Sequence, residues 1–244
     1  GFVGHPAFSP DGRWLAFDKR GEGAKPDIWL RDLRRGVSSR FTTAPEGDFA
    51  PLFSPDGERL FFAREAEGGK SSLFVRPLAI GSEQELHTAE GVMAPLAVTP
   101  DGQRLVFAKL AEGAYALFAL DLANGNAVAP ITQTKGFAEF RADLSPDGRW
   151  LTLQSDESGT GEIYVQPFPG PGRRWQLSTG GGFFPVWSRD GSEIFFRDGQ
   201  GRLSHVAVSA GTDFDAGVPE ALFPLAVGIG NSVRKFVVSP DGQR

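Results

Sequence analysis

Six aspartates recur along the chain at a nearly constant interval, and evenly spaced carboxylates are the residue type that metal binding or acid catalysis would use. Each is the third residue of a tetrapeptide that reads Ser-Pro-Asp-Gly or a close variant. The copies begin at Ser9, Ser54, Thr99, Ser145, Ser188 and Ser239. Proline presets the backbone for a type I turn, and glycine adopts the left-handed conformation that follows. Each aspartate therefore belongs to its own hairpin turn, where its carboxylate accepts backbone N–H bonds, and we predict a structural role for all six.

The other candidates for catalysis or cofactor binding lack the spacing that such chemistry needs. His5, His87 and His205 are far apart and form no zinc-binding motif, and the chain contains no cysteine. The Gly-Lys-Ser segment at residues 69–71 ends like a phosphate-binding loop, but Arg64 stands where the first glycine of that loop belongs. No nucleophile elbow of the hydrolase type occurs in the sequence. We therefore predict no cofactor, no metal and no enzyme activity for this segment.

The tetrapeptides divide the chain into units of about 45 residues, with intervals of 45, 45, 46, 43 and 51. In the first unit an apolar strand at residues 6–8 precedes the turn, and strands at 14–17, 28–33 and 40–42 follow it. Four short antiparallel strands make one blade of a β-propeller. The predicted fold is all-β: a β-propeller of four-stranded antiparallel blades, with five complete blades and the start of a sixth, in a single domain over residues 1–244. Because the last unit stops after its turn, we expect a fragment of a longer protein whose intact ring has six or more blades.

Charge and hydropathy exclude two classes of partner. The formal net charge is −5, and the basic residues are scattered along the chain. Nucleic-acid binding requires a basic face, so no nucleic-acid partner is predicted. No run of about 18 apolar residues occurs, so we predict no direct membrane insertion by this segment.

The repeated pattern of an apolar strand, Ser-Pro-Asp-Gly and a strand that starts with Trp or Leu resembles the TolB-like, or WD40-like PD40, propeller repeat. The resemblance covers essentially all 244 residues. In the families with this repeat, the propeller binds a lipoprotein partner in the Tol-Pal system or filters substrates beside peptidase domains. The resemblance implies the propeller fold, but function is grafted onto such folds and does not follow from them.

One stretch is similar to a narrower group. Residues 163–172 read Ile-Tyr-Val-Gln-Pro-Phe-Pro-Gly-Pro-Gly, and Trp-Gln-Leu follows at 175–177. This stretch resembles the C-terminal propeller of bacterial eukaryotic-like serine/threonine kinases. The resemblance implies a non-catalytic, extracytoplasmic or periplasmic sensor that recognises a protein, peptide or other ligand. A cytoplasmic location, the gating propeller of a prolyl-oligopeptidase-like peptidase and a TolB-type periplasmic partner-binding protein remain open alternatives.

Propellers bind partners at the mouth of the central channel, which the residues just before each innermost strand should ring. Counting back four to six positions from each turn, and adding Asp143 for its charge, gives the partner-binding candidates. They are His5, Asp48, Phe49, Met93, Glu139, Phe140, Arg141, Asp143, Phe183, Phe184, Arg234 and Lys235. Aromatic and arginine side chains exposed together favour contact with a protein or peptide. The alternative for each phenylalanine, which the sequence leaves equally open, is that its ring wedges between two blades.

Asp143 differs in character from its counterparts in the other units. These are Ala7, Leu52, Ala97, Val186 and Val237. A lone carboxylate in an apolar ring must be solvated or paired, and we favour pairing with Arg141, on the same strand face, over ligand contact. Asp48, Glu139 and Asp143 are also the acidic residues at the predicted mouth that catalysis from the channel would have to use.

Overall fold

Five antiparallel blades stand in a ring around a central channel in the computed structural model, which describes residues 2–21, 24–111, 113–132, 136–170, 172–225 and 236–238. The predicted all-β propeller of four-stranded blades is confirmed. The sixth unit is described only at residues 236–238, and its turn at Ser239 lies outside the described residues.

In each blade the first strand lies innermost and the later strands pair outwards in chain order. Blade 1 contains β1 (Phe2–Phe8), β2 (Trp14–Arg20), β3 (Pro26–Asp32) and β4 (Val37–Arg40). Blade 2 contains β5 (Asp48–Phe53), β6 (Arg59–Glu65), β7 (Lys70–Pro77) and β8 (Gln84–Glu90), with a 3-10 turn at Glu67–Gly69. Blade 3 contains β9 (Met93–Val98), β10 (Arg104–Ala111), β11 (Ala114–Asp121) and β12 (Ala127–Pro130). Blade 4 contains β13 (Glu139–Leu144), β14 (Trp150–Ser155), β15 (Glu162–Pro167) and β16 (Trp175–Gln176). Blade 5 contains β17 (Gly182–Trp187), β18 (Glu193–Asp198), β19 (Arg202–Ala210), β20 (Phe214–Ala216) and β21 (Glu220–Pro224).

The outermost strands depart most from the sequence prediction. In blade 5 the fourth position is divided between β20 and β21, which both pair with β19. The sequence predicted only the second of these, at residues 221–223. The outer strands carry little apolar periodicity because they are solvent-exposed, so their bounds leave a weak pattern in the sequence.

The tetrapeptide turns are held by a small hydrogen-bond network within each turn. In the first copy, the N–H of Gly12 donates to the carbonyl of Ser9 at 2.9 Å, and Ser9 Oγ donates to Asp11 Oδ1 at 2.6 Å. Asp11 Oδ1 also accepts the N–H of Arg13, and Ser9 Oγ accepts the N–H of Trp14. The same bonds recur in the turns that begin at Ser54, Thr99, Ser145 and Ser188. The predicted structural role of the aspartates is confirmed in these turns.

Apolar side chains between consecutive blades form the core of the protein. In β6, Leu60 and Phe62 pack towards blade 1, whereas Phe61 and Ala63 pack towards blade 3. Both faces of this strand are therefore buried at its centre, where residues 60–63 form a continuous apolar run with no polar alternation. Equivalent clusters join blade 3 to blade 4 and blade 4 to blade 5.

A bulge bends the innermost strand of blades 1, 2, 4 and 5 four residues before its turn. His5, Ala50, Arg141 and Phe184 have positive φ angles of 46°, 53°, 54° and 59° there, and two residues of the strand oppose one of its partner. The third blade has Pro95 at this position; proline fixes φ near −65°, and in that blade the register shift involves Leu96 instead. A left-handed residue other than glycine costs about 1–3 kcal/mol. Because the strain recurs in four blades, it belongs to the geometry of the fold, where a bulge re-aims side chains at the strand start.

Gly91 and Gly113 form a matched pair for testing how tightly neighbouring blades pack. Their φ angles are +83° and +85°, but an added Cβ meets the Leu110 carbonyl oxygen at 2.2 Å in Gly91 and no atom within 4 Å in Gly113. We expect Gly113→Ala to lower the free energy of unfolding by about 1–2 kcal/mol through backbone strain alone. Gly91→Ala should cost about 1–3 kcal/mol more, because the clash involves backbone. Equal losses in urea denaturation would show that the close approach at Gly91 is absent in solution.

Asp190 should make the stability of its turn dependent on pH. Hydrogen bonds from Ser188 Oγ at 2.7 Å and from Ser192 lower the pKa of this aspartate from 3.8 to about 2. A carboxyl whose pKa is lower in the folded protein stabilises the fold above its unfolded pKa, and the effect disappears as the pH falls through the folded pKa. We expect Asp190→Asn to lower the urea midpoint at pH 7, and we expect its difference from the wild type to shrink as the pH falls from about 4 towards 2. A difference between the two proteins that is constant from pH 7 to pH 2 would contradict this.

Candidate binding site at the channel mouth

The mouth is the end of the channel where the five innermost strands begin, and the tetrapeptide turns lie at the opposite end, the turn face. The residues singled out in the sequence differ in exposure there. Buried among them are Asp48, Met93, Glu139, Arg141 and Phe184. Half-buried are His5, Phe49, Phe140 and Phe183. Arg234 and Lys235 lie outside the described residues.

A cavity of about 350 Å³ opens at the mouth between blades 1, 2 and 3. Phe49, Val92 and the ring of Tyr115 form part of its apolar wall, and His5 and Arg20 contribute polar groups. Cavities of about 300–1,000 Å³ are typical of ligand sites, so this one has room for a group of about the size of one residue. We call it the mouth cavity.

Several residues of the mouth cavity lie on β2 and β11, which counting back along the innermost strands does not reach. Antiparallel pairing places the end of β2 beside the start of β1, with Gly4 opposite Asp18 and Phe2 opposite Arg20. The turn between the two strands sets this register. Counting from each turn along the second strand as well as the first would therefore have identified Asp18 and Arg20. Tyr115 lies near the start of β11, and nothing local to its sequence marks it as a cavity residue.

His5 is held in the mouth cavity by a buried carboxylate. Its Nδ1 lies 2.5 Å from Oδ1 of Asp18, which is only 5% exposed. The His5 ring also lies 6.4 Å from the Phe49 ring, measured between centroids. Because Nδ1 is engaged with Asp18, Nε2 is the ring nitrogen that remains for other contacts.

On the side of blades 4 and 5, the mouth contains a stack of rings around Arg141. The guanidinium carbon lies 4.4 Å from the centroid of Phe140 and 4.2 Å from that of Phe184, and Nη1 donates to Gln154 Oε1 at 2.9 Å. Phe140 in turn contacts Tyr115 of the mouth cavity, with 5.7 Å between ring centroids. Burial lowers the pKa of Arg141 to about 10, so the side chain remains charged at neutral pH. Phe184 of blade 5 is thus buried against Arg141 of blade 4, whereas part of the Phe140 ring remains exposed.

Two of the acidic residues at the mouth are paired with arginine. Asp48 binds Arg64 through both oxygens, at 2.7 and 3.2 Å, and Arg64 also binds Glu83. Glu139 lies 2.6 Å from Arg174. Burial raises the pKa of Asp48 above its ordinary value, although Arg64 opposes the shift. These carboxylates therefore have a structural role at the mouth, where each forms an ion pair with an arginine.

Asp143 lies at the turn face, where a cavity of about 370 Å³ occupies the channel. Its Oδ2 accepts the backbone N–H of Trp187, in the next blade, at 2.9 Å. Arg141, its predicted partner, donates to Gln154 at the mouth. The equivalent positions of the five innermost strands, together with Val237 of the sixth unit, all line this cavity. In the described part of the chain, no three His, Asp or Glu side chains are placed to hold a metal ion.

Residues 65–217 match the family model described as PD40, the TolB beta propeller domain, and this span is more than half of the chain. The chain belongs to this family. A comparison with curated protein sequences finds no match.

Solved structures share the fold of this PD40 propeller. A putative TolB from Agrobacterium tumefaciens is 20% identical with a TM-score of 0.76, and the alignment covers 99% of this chain and 87% of that one. TolB from Acinetobacter baumannii is 24% identical with a TM-score of 0.72 over 91% of this chain, which spans only 55% of that protein. Oligogalacturonate lyase from Vibrio parahaemolyticus is 17% identical with a TM-score of 0.59, covering 86% of this chain and 63% of that one. The fold therefore occurs both in TolB proteins and in an enzyme.

The described residues include no helix of the length and apolar character that a membrane crossing requires.

The buried pair of Asp48 and Arg64 tests whether the carboxylates at the mouth are structural. Arg64→Ala leaves a fully buried carboxylate without its cation, and we expect a loss of about 3–5 kcal/mol in the free energy of unfolding. Arg59→Ala is the matched control, because Arg59 pairs with Asp56 at 3.6 Å on the surface and should cost less than about 1 kcal/mol.

Adding Asp48→Asn to Arg64→Ala should recover part of the loss, because it removes the buried charge. Urea denaturation measures all three variants. Similar losses in Arg64→Ala and Arg59→Ala would show that the buried pair does not support the fold.

Proposed function

We propose that this chain is a non-catalytic propeller module that recognises a protein or peptide at the mouth of its channel. The observation that carries the proposal is the presence of partly exposed aromatic rings at the mouth. Phe49 lines the mouth cavity, Phe140 contacts Tyr115 of that cavity, and Phe183 lies near the start of β17. Aromatic and arginine side chains supply much of the binding energy at protein interfaces. Rings that are already held by their neighbours lose little conformational freedom on binding, which favours affinity.

The environment of the acidic residues supports binding over catalysis. Asp48 and Glu139 are neutralised by arginine, and Asp143 lies at the turn face bonded to a backbone N–H. A general acid or base must reach the proton that it transfers. Carboxylates that are buried in ion pairs, or that lie at the other end of the channel, do not meet this requirement at the mouth.

We further propose that the module is the extracytoplasmic sensor of a receptor-like serine/threonine kinase, with a TolB-type periplasmic partner-binding protein as the alternative. The kinase proposal is supported by the similarity of residues 163–177 to such propellers. The TolB alternative is supported by membership of the PD40 family. The flanking reading frame discriminates between them: a kinase domain and one membrane-spanning helix upstream support the first, and a TolB N-terminal domain supports the second.

Selection from a random peptide library tests binding at the mouth. The library should display each peptide with a free C-terminus, and enriched peptides should be measured as synthetic molecules. We expect Phe183→Ala and Phe140→Ala to weaken binding by at least about 30-fold, the loss typical of an aromatic hot spot. Arg189→Ala is the control, because Arg189 is exposed at the turn face.

Thermal unfolding identifies any variant that loses its fold, because both rings also pack within the protein: Phe140 against Arg141 and Tyr115, and Phe183 against Arg197. The proposal is wrong if no peptide is enriched. It is also wrong if Arg189→Ala weakens binding as much as Phe183→Ala does.

A further inference from the structure

The mouth cavity combines an apolar wall with groups that donate hydrogen bonds. Phe49, Val92 and Ala94 offer apolar contact, and Val92 is 44% exposed, so this wall is open to a ligand. Arg20 and Tyr115, whose side chains carry hydrogen-bond donors, line the same cavity. A few converging polar groups in an apolar cavity are typical of a ligand site.

The charges of the mouth cavity are unevenly neutralised. Asp18 lies 2.5 Å from Nδ1 of His5, and Glu65 is paired with Lys25 at 2.8 Å, so both lining carboxylates already have a side-chain partner. Lys70 lies 3.5 Å from Glu90. Among the described residues Arg20 has no acidic partner, and its side chain is exposed at the cavity. The charge that a ligand can complement here is therefore positive.

We infer that the mouth cavity binds the C-terminal residue of a partner polypeptide, with an apolar side chain against Phe49 and Val92 and the α-carboxylate at Arg20. The planar guanidinium matches a carboxylate with two parallel hydrogen bonds. The cavity volume of about 350 Å³ suits one residue, and the partly exposed rings of Tyr115 and Phe140 continue from it towards where the preceding residues of the partner would lie. This inference rests on the proposed function, because it identifies which part of the partner enters the mouth.

N-acetyl-L-phenylalanine and its amide are the two probes that test the inference, because they share one side chain and differ only in the terminal group, a carboxylate in the acid and a neutral carboxamide in the amide. Titration of the isotopically labelled protein, followed by NMR, measures both affinities. We expect the acid to bind about tenfold more tightly than the amide, as a charged hydrogen bond provides. Arg20→Gln should reduce the affinity for the acid to that for the amide.

Arg31→Gln is the matched control, since Arg31 is an exposed arginine of the same blade near the other end of β3. It should leave both affinities unchanged. Val92→Glu tests the wall independently: a carboxylate there should remove the preference for the acid by repulsion. Equal affinities for acid and amide in the wild type, no shift with either probe, or an equal effect of Arg20→Gln and Arg31→Gln would each overturn the inference.

Peptides enriched in the library selection separate this inference from the proposed function. Each should lose about tenfold in affinity when its C-terminus is amidated. If amidated peptides bind as well as free ones while Phe183→Ala still weakens them, the C-terminal site is wrong and recognition at the mouth stands. If the acid probe binds but no peptide is enriched, the inference that the ligand is a polypeptide is wrong. The proposed recognition of a peptide at the mouth is then wrong as well.

Discussion

Each blade has two apolar faces and can bury them only against its neighbours, and the rest of the structure depends on this mutual burial. The alternation along β6 shows how it works, because Phe62 faces blade 1 and Phe61 faces blade 3 within one strand. The stability of such an array is close to a sum of blade and interface terms. A substitution in one cluster therefore weakens two blades and can alter the mouth, which is formed by the ends of strands from all five blades.

The turn chemistry made most of this fold predictable from the sequence. Proline, aspartate and glycine each have a defined conformational role in the tetrapeptide, and the observed bonds of Ser9 and Asp11 follow from those roles. With the turns located, the apolar runs on both sides could be assigned to strands, and the order of the blades followed. The outer strands were less predictable, because β20 and β21 are short and lie at an edge where little apolar surface is buried.

The candidate site was only partly predictable, for two physical reasons. Side chains such as Tyr115 come from a different strand and blade, and only the packing of the ring brings them to the mouth cavity. Burial was the second reason. Asp48 and Glu139 were expected to be accessible at the channel opening, but both are buried. They form ion pairs there with Arg64 and Arg174. A carboxylate is stable in such a position only with a cation beside it, and the sequence does not show which arginine approaches it.

The bulge of the innermost strands constrains the backbone of the fold but leaves the type of side chain at the mouth free to vary. The bulge needs a bend of the backbone, and His5, Ala50, Arg141 and Phe184 satisfy it with four different side chains. The neighbouring apolar positions, by contrast, must fill the space between two blades. The repeat can therefore keep its core while each blade presents a different group at the channel opening. On this argument the fold itself does not demand the imidazole at blade 1 or the guanidinium at blade 4.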